Sequence, residues 1–138
     1  MKRFKNILFF ADSSEEITPA LRRAVQLAES NHARLTVVDV IEPMKTPDEI
    51  SSRFDIDLSE ILREQRKQTL ETLSQSIEQD EDHLDDSLVY TKVLSGIPFV
   101  EIIRYVQSGG FDLLIKMARA PAGISEKGFG SVDLHLLR

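Results

Sequence analysis

The chain is 138 residues long, which fits a single domain with a hydrophobic core of its own. Its net charge of −6 predicts no nucleic-acid partner and no binding to an anionic membrane surface. Cysteine is absent, which excludes disulfides, zinc–thiolate sites and thiol catalysis. The apolar run at residues 7–11 is too short for a signal peptide or a membrane span, so we expect a cytoplasmic protein.

The first part of the chain predicts a strand, a helix and a second strand. Residues 7–11 are continuously apolar, a pattern typical of a strand buried on both faces of a parallel sheet. Thr18 as N-cap and Pro19 at the first helical position predict an amphipathic helix over residues 19–31. Residues 35–41 are rich in β-branched side chains and predict the second strand.

The remainder continues the alternation of helices and strands. After a polar connection at residues 42–57, a long helix is predicted over residues 58–79, and a third strand over residues 88–94. The next helix follows Pro98 and ends at Gly109-Gly110, before a fourth strand at residues 112–116. The apolar positions assigned to the inner faces of these helices are Ile61, Leu62, Leu70, Leu73 and Ile77 in the first, and Phe99, Ile102, Ile103 and Val106 in the second.

This alternation predicts one α/β domain over residues 1–138, with a doubly wound, mostly parallel open sheet of the Rossmann-like kind. Gly130-Ser131 is expected to open a short final helix, and a closing fifth strand is expected to be missing. The domain would then be a fragment of a longer chain or a sheet completed by a partner. An unclosed sheet edge exposes pairing groups, so we predict a homodimer or pairing with a tandem domain.

Candidate ligand residues follow the strands, because ligands of open α/β sheets bind at the carboxyl ends of strands. Asp12 follows the first strand, where it could contact a base, a ribose or a phosphate-bound metal, or simply serve as a turn carboxylate. Val40, near the end of the second strand, could line a purine pocket or be an ordinary core valine. After the fourth strand, a loop leads to Gly130 and Ser131, the arrangement of a phosphate cradle at a helix start.

These segments resemble the universal stress protein family. The resemblance is carried by KNILFFADSSEEITPALRRAVQLAESNHARLTVVDVIE in the first part of the chain, and by VLSGIPFVEIIRYVQSGGFDLLIKMA and GSVDLHLLR in the second. Within the second part, the segments SGGFDLLIKMA and HLLR are most similar to the first domain of tandem-type members, in which two such domains share one chain. The resemblance implies a role in stress response and association through a final strand.

ATP-binding members of that family carry the motif G-x2-G-x9-G-[S/T] after the fourth strand. By position, Gly130 and Ser131 match its closing pair, and Asp12 and Val40 match residues that contact the nucleotide. The early glycines are absent, and Pro121 removes a backbone donor from the loop. We therefore predict a degenerate nucleotide site and no cofactor, with ATP and magnesium as the alternative. Asp133, expected in the first turn of the last helix, would add repulsion toward phosphate.

No arrangement for catalysis or metal binding is predicted. The histidines lack ligand spacing, and no Ser/His/Asp set lies on suitable loops. The segment 108–112, SGGFD, ends a helix and starts a strand, so it predicts a helix C-cap. We predict a non-catalytic binding and interaction module, with an ATP-binding and slowly hydrolysing switch as the first alternative. The second alternative is an apolar small-molecule pocket, with Phe9, Phe10, Met117 and Phe129 near its mouth.

Overall fold

The structure, a computed structural model, describes residues 4–12, 16–42, 58–80, 89–117 and 132–137. The elements in chain order are β1 (Asn6–Phe10), α1 (Thr18–Asn31), β2 (Arg34–Ile41), α2 (Leu58–Asp80), β3 (Val89–Ser95), α3 (Pro98–Gly109), β4 (Leu113–Met117) and β5 (Val132–Leu136). The sheet has the strand order β3-β2-β1-β4-β5; β1 to β4 are parallel, and β5 runs antiparallel to β4. The predicted doubly wound, mostly parallel α/β sheet is therefore confirmed.

The sheet separates two hydrophobic cores. On one face, Ile7 and Phe9 of β1 pack with the buried side chains of α1 and α2. On the other face, Leu8 packs with Val38 and with Ile102 of α3. Ile7, Leu8 and Phe9 are all fully buried. A central parallel strand is covered on both faces, which explains why this segment is continuously apolar.

The C-terminal element corrects two expectations. Residues 132–136 form β5, in which Val132 pairs with Met117 and Leu136 pairs with Leu113. The predictions of a final helix and of a missing fifth strand are therefore wrong. The segment VDLHL alternates apolar and polar residues, and this period of two suits an edge strand. Asp133 consequently lies opposite Lys116 in the sheet and not in a first helical turn.

The inner faces of two helices were only partly predicted. In α3, Ile102 is buried, whereas Phe99 and Ile103 are 69% and 56% exposed. In α2, Leu70 and Ile77 are buried, but Ile61 and Leu62 near its start are exposed. Apolar residues at helical spacing outnumber the positions that reach the sheet, so periodicity alone marks too wide a face.

The start of α1 also differs from the prediction. Thr18 is the first helical residue, and Ile17 occupies the cap position without a side-chain hydrogen bond. The side chain of Glu16 takes over the capping role, because its Oε1 accepts a hydrogen bond of 2.9 Å from the Thr18 N–H. The hydrogen bond with the Thr18 side chain, and after it the bond from the Thr18 N–H, lower the pKa of the Glu16 carboxyl.

The SGGFD segment is structural, as predicted. Gly110 ends α3 in the left-handed conformation, with φ of 66°. Asp112 then joins the starts of β1 and β4, since its Oδ2 accepts hydrogen bonds from the backbone N–H groups of Lys5 (2.7 Å) and Asn6 (2.9 Å). A carboxylate that accepts two backbone donors is well satisfied, so this Asp is explained by the fold.

Candidate functional site

The candidate site lies where the winding of the sheet reverses. From β1 the chain passes through α1 to β2 on one side, while β3 leads through α3 to β4 on the other side of β1. The carboxyl ends of β1 and β4 therefore flank the crevice in which open α/β sheets bind ligands. Ala11 extends the pairing of β1 by one residue, because its N–H donates to the carbonyl of Val38 at 2.7 Å. Asp12 follows directly and is half-buried at this edge.

The buried Asp39 and the partly exposed Arg66 form an ion pair at the same edge. Arg66, on α2, donates from Nε to Oδ2 of Asp39 at 2.6 Å and from Nη2 to the Ala11 carbonyl at 3.3 Å. The other carboxylate oxygen of Asp39 accepts the N–H of Val40 at 2.7 Å. Asp39 is only 1% exposed. One guanidinium therefore ties α2 to the carboxyl ends of β1 and β2.

The environment of Asp39 raises the pKa of its carboxyl. Burial is the largest cause, because it disfavours the charged form. The hydrogen bonds from Arg66 and Val40 and the positive charge of Arg66 act in the opposite direction, and the negative charge of Asp12 adds to the increase. Asp12 and Asp39 are thus close enough for their charges to interact, and Arg66 compensates the buried carboxylate incompletely.

Arg66 is a site residue that the sequence analysis missed. Two signals mark the pair. Asp39 is the only charged residue in the segment LTVVDVI, and Arg66 lies one turn before Leu70 on the inner face of α2. A charge inside a buried strand needs a partner, so an inward-facing Arg on a covering helix was the residue to seek.

Two further features bear on the site. No group of three or more His, Asp or Glu side chains able to hold a metal ion occurs among the residues that the structure describes. A groove lies along α2, but it is lined by the outer part of that helix and not by Asp12, Asp39 or Val40.

None of the described helices is long and apolar enough to cross a membrane.

Comparison with known proteins identifies the family. The model of the universal stress protein family matches residues 3–138. The chain belongs to the universal stress protein family. Among solved structures, the universal stress protein UspA from Lactobacillus plantarum is 24% identical, with a TM-score of 0.53; the match covers 89% of this chain and 83% of that one. A comparison with curated proteins found no match.

A second solved neighbour is a universal stress protein in complex with cAMP. It is 15% identical with a TM-score of 0.54, and the match covers 82% of this chain and 75% of that one. Both neighbours have the fold described here. The more specific resemblance to the first domain of tandem-type members, within this family, stays a prediction.

Of the four nucleotide residues predicted for this universal stress protein, two lie in the part of the chain that the structure describes. Asp12 is half-buried directly after β1, at the edge of the crevice, and its contact with a nucleotide stays a prediction. Val40 is 5% exposed and packs under α3 with Leu8 and Ile102, which suits the alternative of a core valine and leaves its contact with a purine a prediction. Gly130 and Ser131 lie outside the described residues, as does the loop that contains Pro121.

The described residues among those proposed for an apolar pocket do not lie around one opening. Phe9 is fully buried in the core beneath α1 and α2, against which Met117 packs. Phe10 packs against the other core, on the opposite face of the sheet. Phe129 lies outside the described residues. Phe9 and Phe10 therefore belong to two separate cores and do not line one pocket.

Proposed function

We propose that this domain is a non-catalytic binding and interaction module of the stress response, with a degenerate nucleotide cleft that binds ATP weakly. One observation carries the proposal. Asp12 and the buried Asp39 interact at the carboxyl ends of β1 and β2, and Arg66, the cation in contact with Asp39, already donates to that carboxylate and to the Ala11 carbonyl.

The two carboxylates of this cleft disfavour a triphosphate. A carboxylate within several ångströms of a phosphate costs on the order of 1 kcal/mol at a partly screened site. Arg66 can offset this repulsion only by weakening its bonds to Asp39, whose charge is already costly at 1% exposure. The sequence adds a second reason, because the loop after β4 lacks the early glycines of the family motif and contains Pro121.

The first alternative is a switch that binds ATP with magnesium, using Asp12, Val40, Gly130 and Ser131. Calorimetric titration with ATP and magnesium separates the two functions. We expect no micromolar binding. Micromolar binding that Gly130→Asp abolishes, while an exposed control variant such as Ser30→Asp retains it, would establish the alternative.

A cyclic mononucleotide is a second candidate ligand. The fold neighbour in complex with cAMP supports it, and so does charge, since a single phosphodiester meets less repulsion from Asp12 than a triphosphate does. Titration with cAMP beside ATP under the same conditions tests this candidate. Tighter binding of cAMP supports it, and equal absence of binding for both ligands leaves the interaction role as the proposed function.

The remaining features of the proposal follow the sequence. We place the domain in the cytoplasm, without a resident cofactor or metal, and as a homodimer or as one of two tandem domains. The absence of catalysis is tested by incubating the protein with ATP and magnesium and measuring phosphate release. Release above that of a heat-inactivated sample, lost in Asp12→Asn, would contradict it.

A further inference from the structure

Two cations lie over tyrosine rings at the β3 side of the sheet. The guanidinium carbon of Arg34, at the start of β2, is 4.1 Å from the ring centroid of Tyr90 on β3. The Nζ atom of Lys92, two residues further along β3, is 5.9 Å from the ring centroid of Tyr105 on α3. These four residues are called the cation–tyrosine surface. Each cation is attracted to the face of its ring, which holds both positive groups in defined positions.

The cation–tyrosine surface lies on the face of the sheet that α3 covers. Lys92 pairs with Val38, whose side chain belongs to the core beneath α3. Tyr90 points to the same face, because residues two apart on a strand do so. Burial raises the pKa of the Tyr105 hydroxyl, and the positive charge of Arg34 acts in the opposite direction. The two cation–ring pairs are therefore neighbours.

The positive charges of this surface are exposed and lack a carboxylate partner. Arg34 and Lys92 are exposed, and Tyr90 keeps 42% of its surface in solvent. Neither cation forms an ion pair among the described residues, and the nearby carboxylate of Glu101 on α3 is paired with Arg104 at 3.3 Å. In a chain with 23 acidic and 17 basic residues, two neighbouring cations without such a partner point to an acidic group supplied from outside the domain.

The strand that carries Tyr90 and Lys92 is the last of the sheet on its side. β3 pairs with β2 and with no other strand that the structure describes. A terminal strand offers backbone N–H and C=O groups to an extended peptide. We propose that this edge and the cation–tyrosine surface bind an acidic, extended segment of a partner protein, which adds a strand beside β3.

The spacing of the two cations predicts the spacing of the acidic residues in the partner. Arg34 lies above Tyr90, and Lys92 is two residues further on, so the cations are separated by about 7 Å along β3. Carboxylates two residues apart on an added strand point to one face and have the same separation. The partner segment should therefore carry Asp or Glu at alternate positions.

Charge and backbone chemistry favour a peptide over a nucleic acid. The net charge of −6 opposes a long polyanion. A short acidic segment meets mainly the two nearby cations, because charges beyond a Debye length of about 8 Å are largely screened. The edge of β3 adds a second reason, since its backbone groups match those of another peptide and not a sugar–phosphate chain.

This surface rests on the proposed interaction role and deepens it by naming the chemistry of the partner. It lies apart from the nucleotide cleft, since Arg34 and Tyr90 are near the amino ends of their strands and Asp12 follows a carboxyl end. Peptide binding together with micromolar ATP binding would overturn only the degenerate cleft. Weak ATP binding without any peptide binding would overturn only the cation–tyrosine surface.

Fluorescence anisotropy with labelled synthetic peptides tests the proposal. The probe alternates glutamate with threonine, and a control peptide of the same composition carries its glutamates in one consecutive block. We expect the alternating peptide to bind about fivefold more tightly, because only this peptide presents all its carboxylates on one face of a strand. Equal affinity of the two peptides would show attraction by charge alone and would contradict an added strand.

Matched protein variants locate the binding. Arg34→Gln and Lys92→Gln each remove one cation of the surface, and Arg23→Gln removes an exposed arginine of α1, which packs on the opposite face of the sheet. All three side chains are exposed, so the fold should be retained, and circular dichroism checks this. We expect the dissociation constant of the alternating peptide to rise about threefold in each of the first two variants and about tenfold in their double variant, and to stay unchanged in Arg23→Gln. Unchanged affinity in the double variant would overturn the proposal.

Amide hydrogen exchange gives a readout that charge alone would not move. Backbone hydrogen bonds to an added strand should slow exchange along the outer edge of β3 when the alternating peptide is bound. Unchanged exchange in β3 at saturating peptide would overturn the proposal. So would tighter peptide binding in the double variant Asp85→Asn/Asp86→Asn, because the chain's own acidic residues would then be the occupant of the surface.

Discussion

Arg66 and Asp39 are joined by a hydrogen bond of 2.6 Å between Nε and Oδ2, although one residue is on a helix and the other on a strand 27 positions earlier. The carboxylate is 1% exposed, whereas the guanidinium side chain keeps 21% of its surface in solvent. This difference in burial determines how much stability the protein loses when either partner is removed.

Removing the arginine should cost more than removing the carboxylate. Arg66→Met leaves a buried charge at Asp39 and should lower the free energy of unfolding by about 3–5 kcal/mol. Asp39→Asn leaves a partly hydrated guanidinium and should cost about 1–2 kcal/mol. Urea denaturation of both variants and of the double variant measures this, and we expect the double variant to be more stable than Arg66→Met alone. Equal losses in the two single variants would contradict the unequal burial of the pair.

The stability of the protein should depend on pH through Asp39. Its pKa in the folded state is raised above the ordinary value of 3.8, so the folded protein binds this proton more tightly than the unfolded chain does. The carboxylate therefore lowers stability at neutral pH, and this loss is recovered as the pH falls through the folded pKa toward 3.8. As the pH falls from 7 toward 3.8, the unfolding free energy of the wild type should rise relative to that of Asp39→Asn. A difference that does not change with pH would contradict the prediction.

Ser74 offers a stabilising substitution. Its side chain is buried on α2 at 4% exposure, and its hydroxyl has no hydrogen-bond partner among the described residues. Ser74→Ala removes the buried hydroxyl and improves helix propensity, so the unfolding free energy should rise by about 1 kcal/mol or more. Ser76→Ala, at an exposed position of the same helix, is the control and should give only the smaller propensity gain. Thermal denaturation measures both, and a loss of stability in Ser74→Ala would show that the hydroxyl is satisfied.

Glycine should be required at position 110 because of the backbone conformation there, and not because a side chain would lack room. Its φ is 66°, and a Cβ added there would meet no atom within 4 Å. Gly110→Ala should therefore destabilise the protein by about 1–2 kcal/mol through the left-handed conformation alone. Gly110→Asn should cost less, because Asn tolerates this conformation better. Equal costs for the two variants, measured by chemical denaturation, would show that crowding decides the position.

The sequence was sufficient for the parallel part of the fold because each buried strand carries a distinctive pattern. Residues 7–11 are continuously apolar, residues 35–41 are rich in β-branched side chains, and Gly109-Gly110 ends α3 as its residue types require. β5 was missed because Gly130-Ser131 suggested a helix start, while the alternation in VDLHL, which indicates a strand, was given no weight.

The candidate site was less accessible to sequence reasoning than the fold. Asp12 could be placed, because a position directly after a central strand fixes its location. The sequence offers Arg66 as a candidate partner of Asp39, but it does not predict the contacts of Arg66 with Asp39 and Ala11. These contacts depend on how α2 lies across β1 and β2, and residue spacing along one helix does not determine that crossing. Phe99 and Ile103 were assigned to the core for the same reason, because periodicity does not say which of two apolar faces meets the sheet.

The effect of Asp12→Asn on ATP binding tests the central claim most directly. If Asp12 repels phosphate, removal of its charge should tighten binding of ATP with magnesium about fivefold, as expected for roughly 1 kcal/mol of repulsion. Titration followed by NMR chemical shifts measures affinities down to the millimolar range in both proteins. A loss of affinity in Asp12→Asn would show that this carboxylate holds the nucleotide, and would contradict a cleft that disfavours triphosphates.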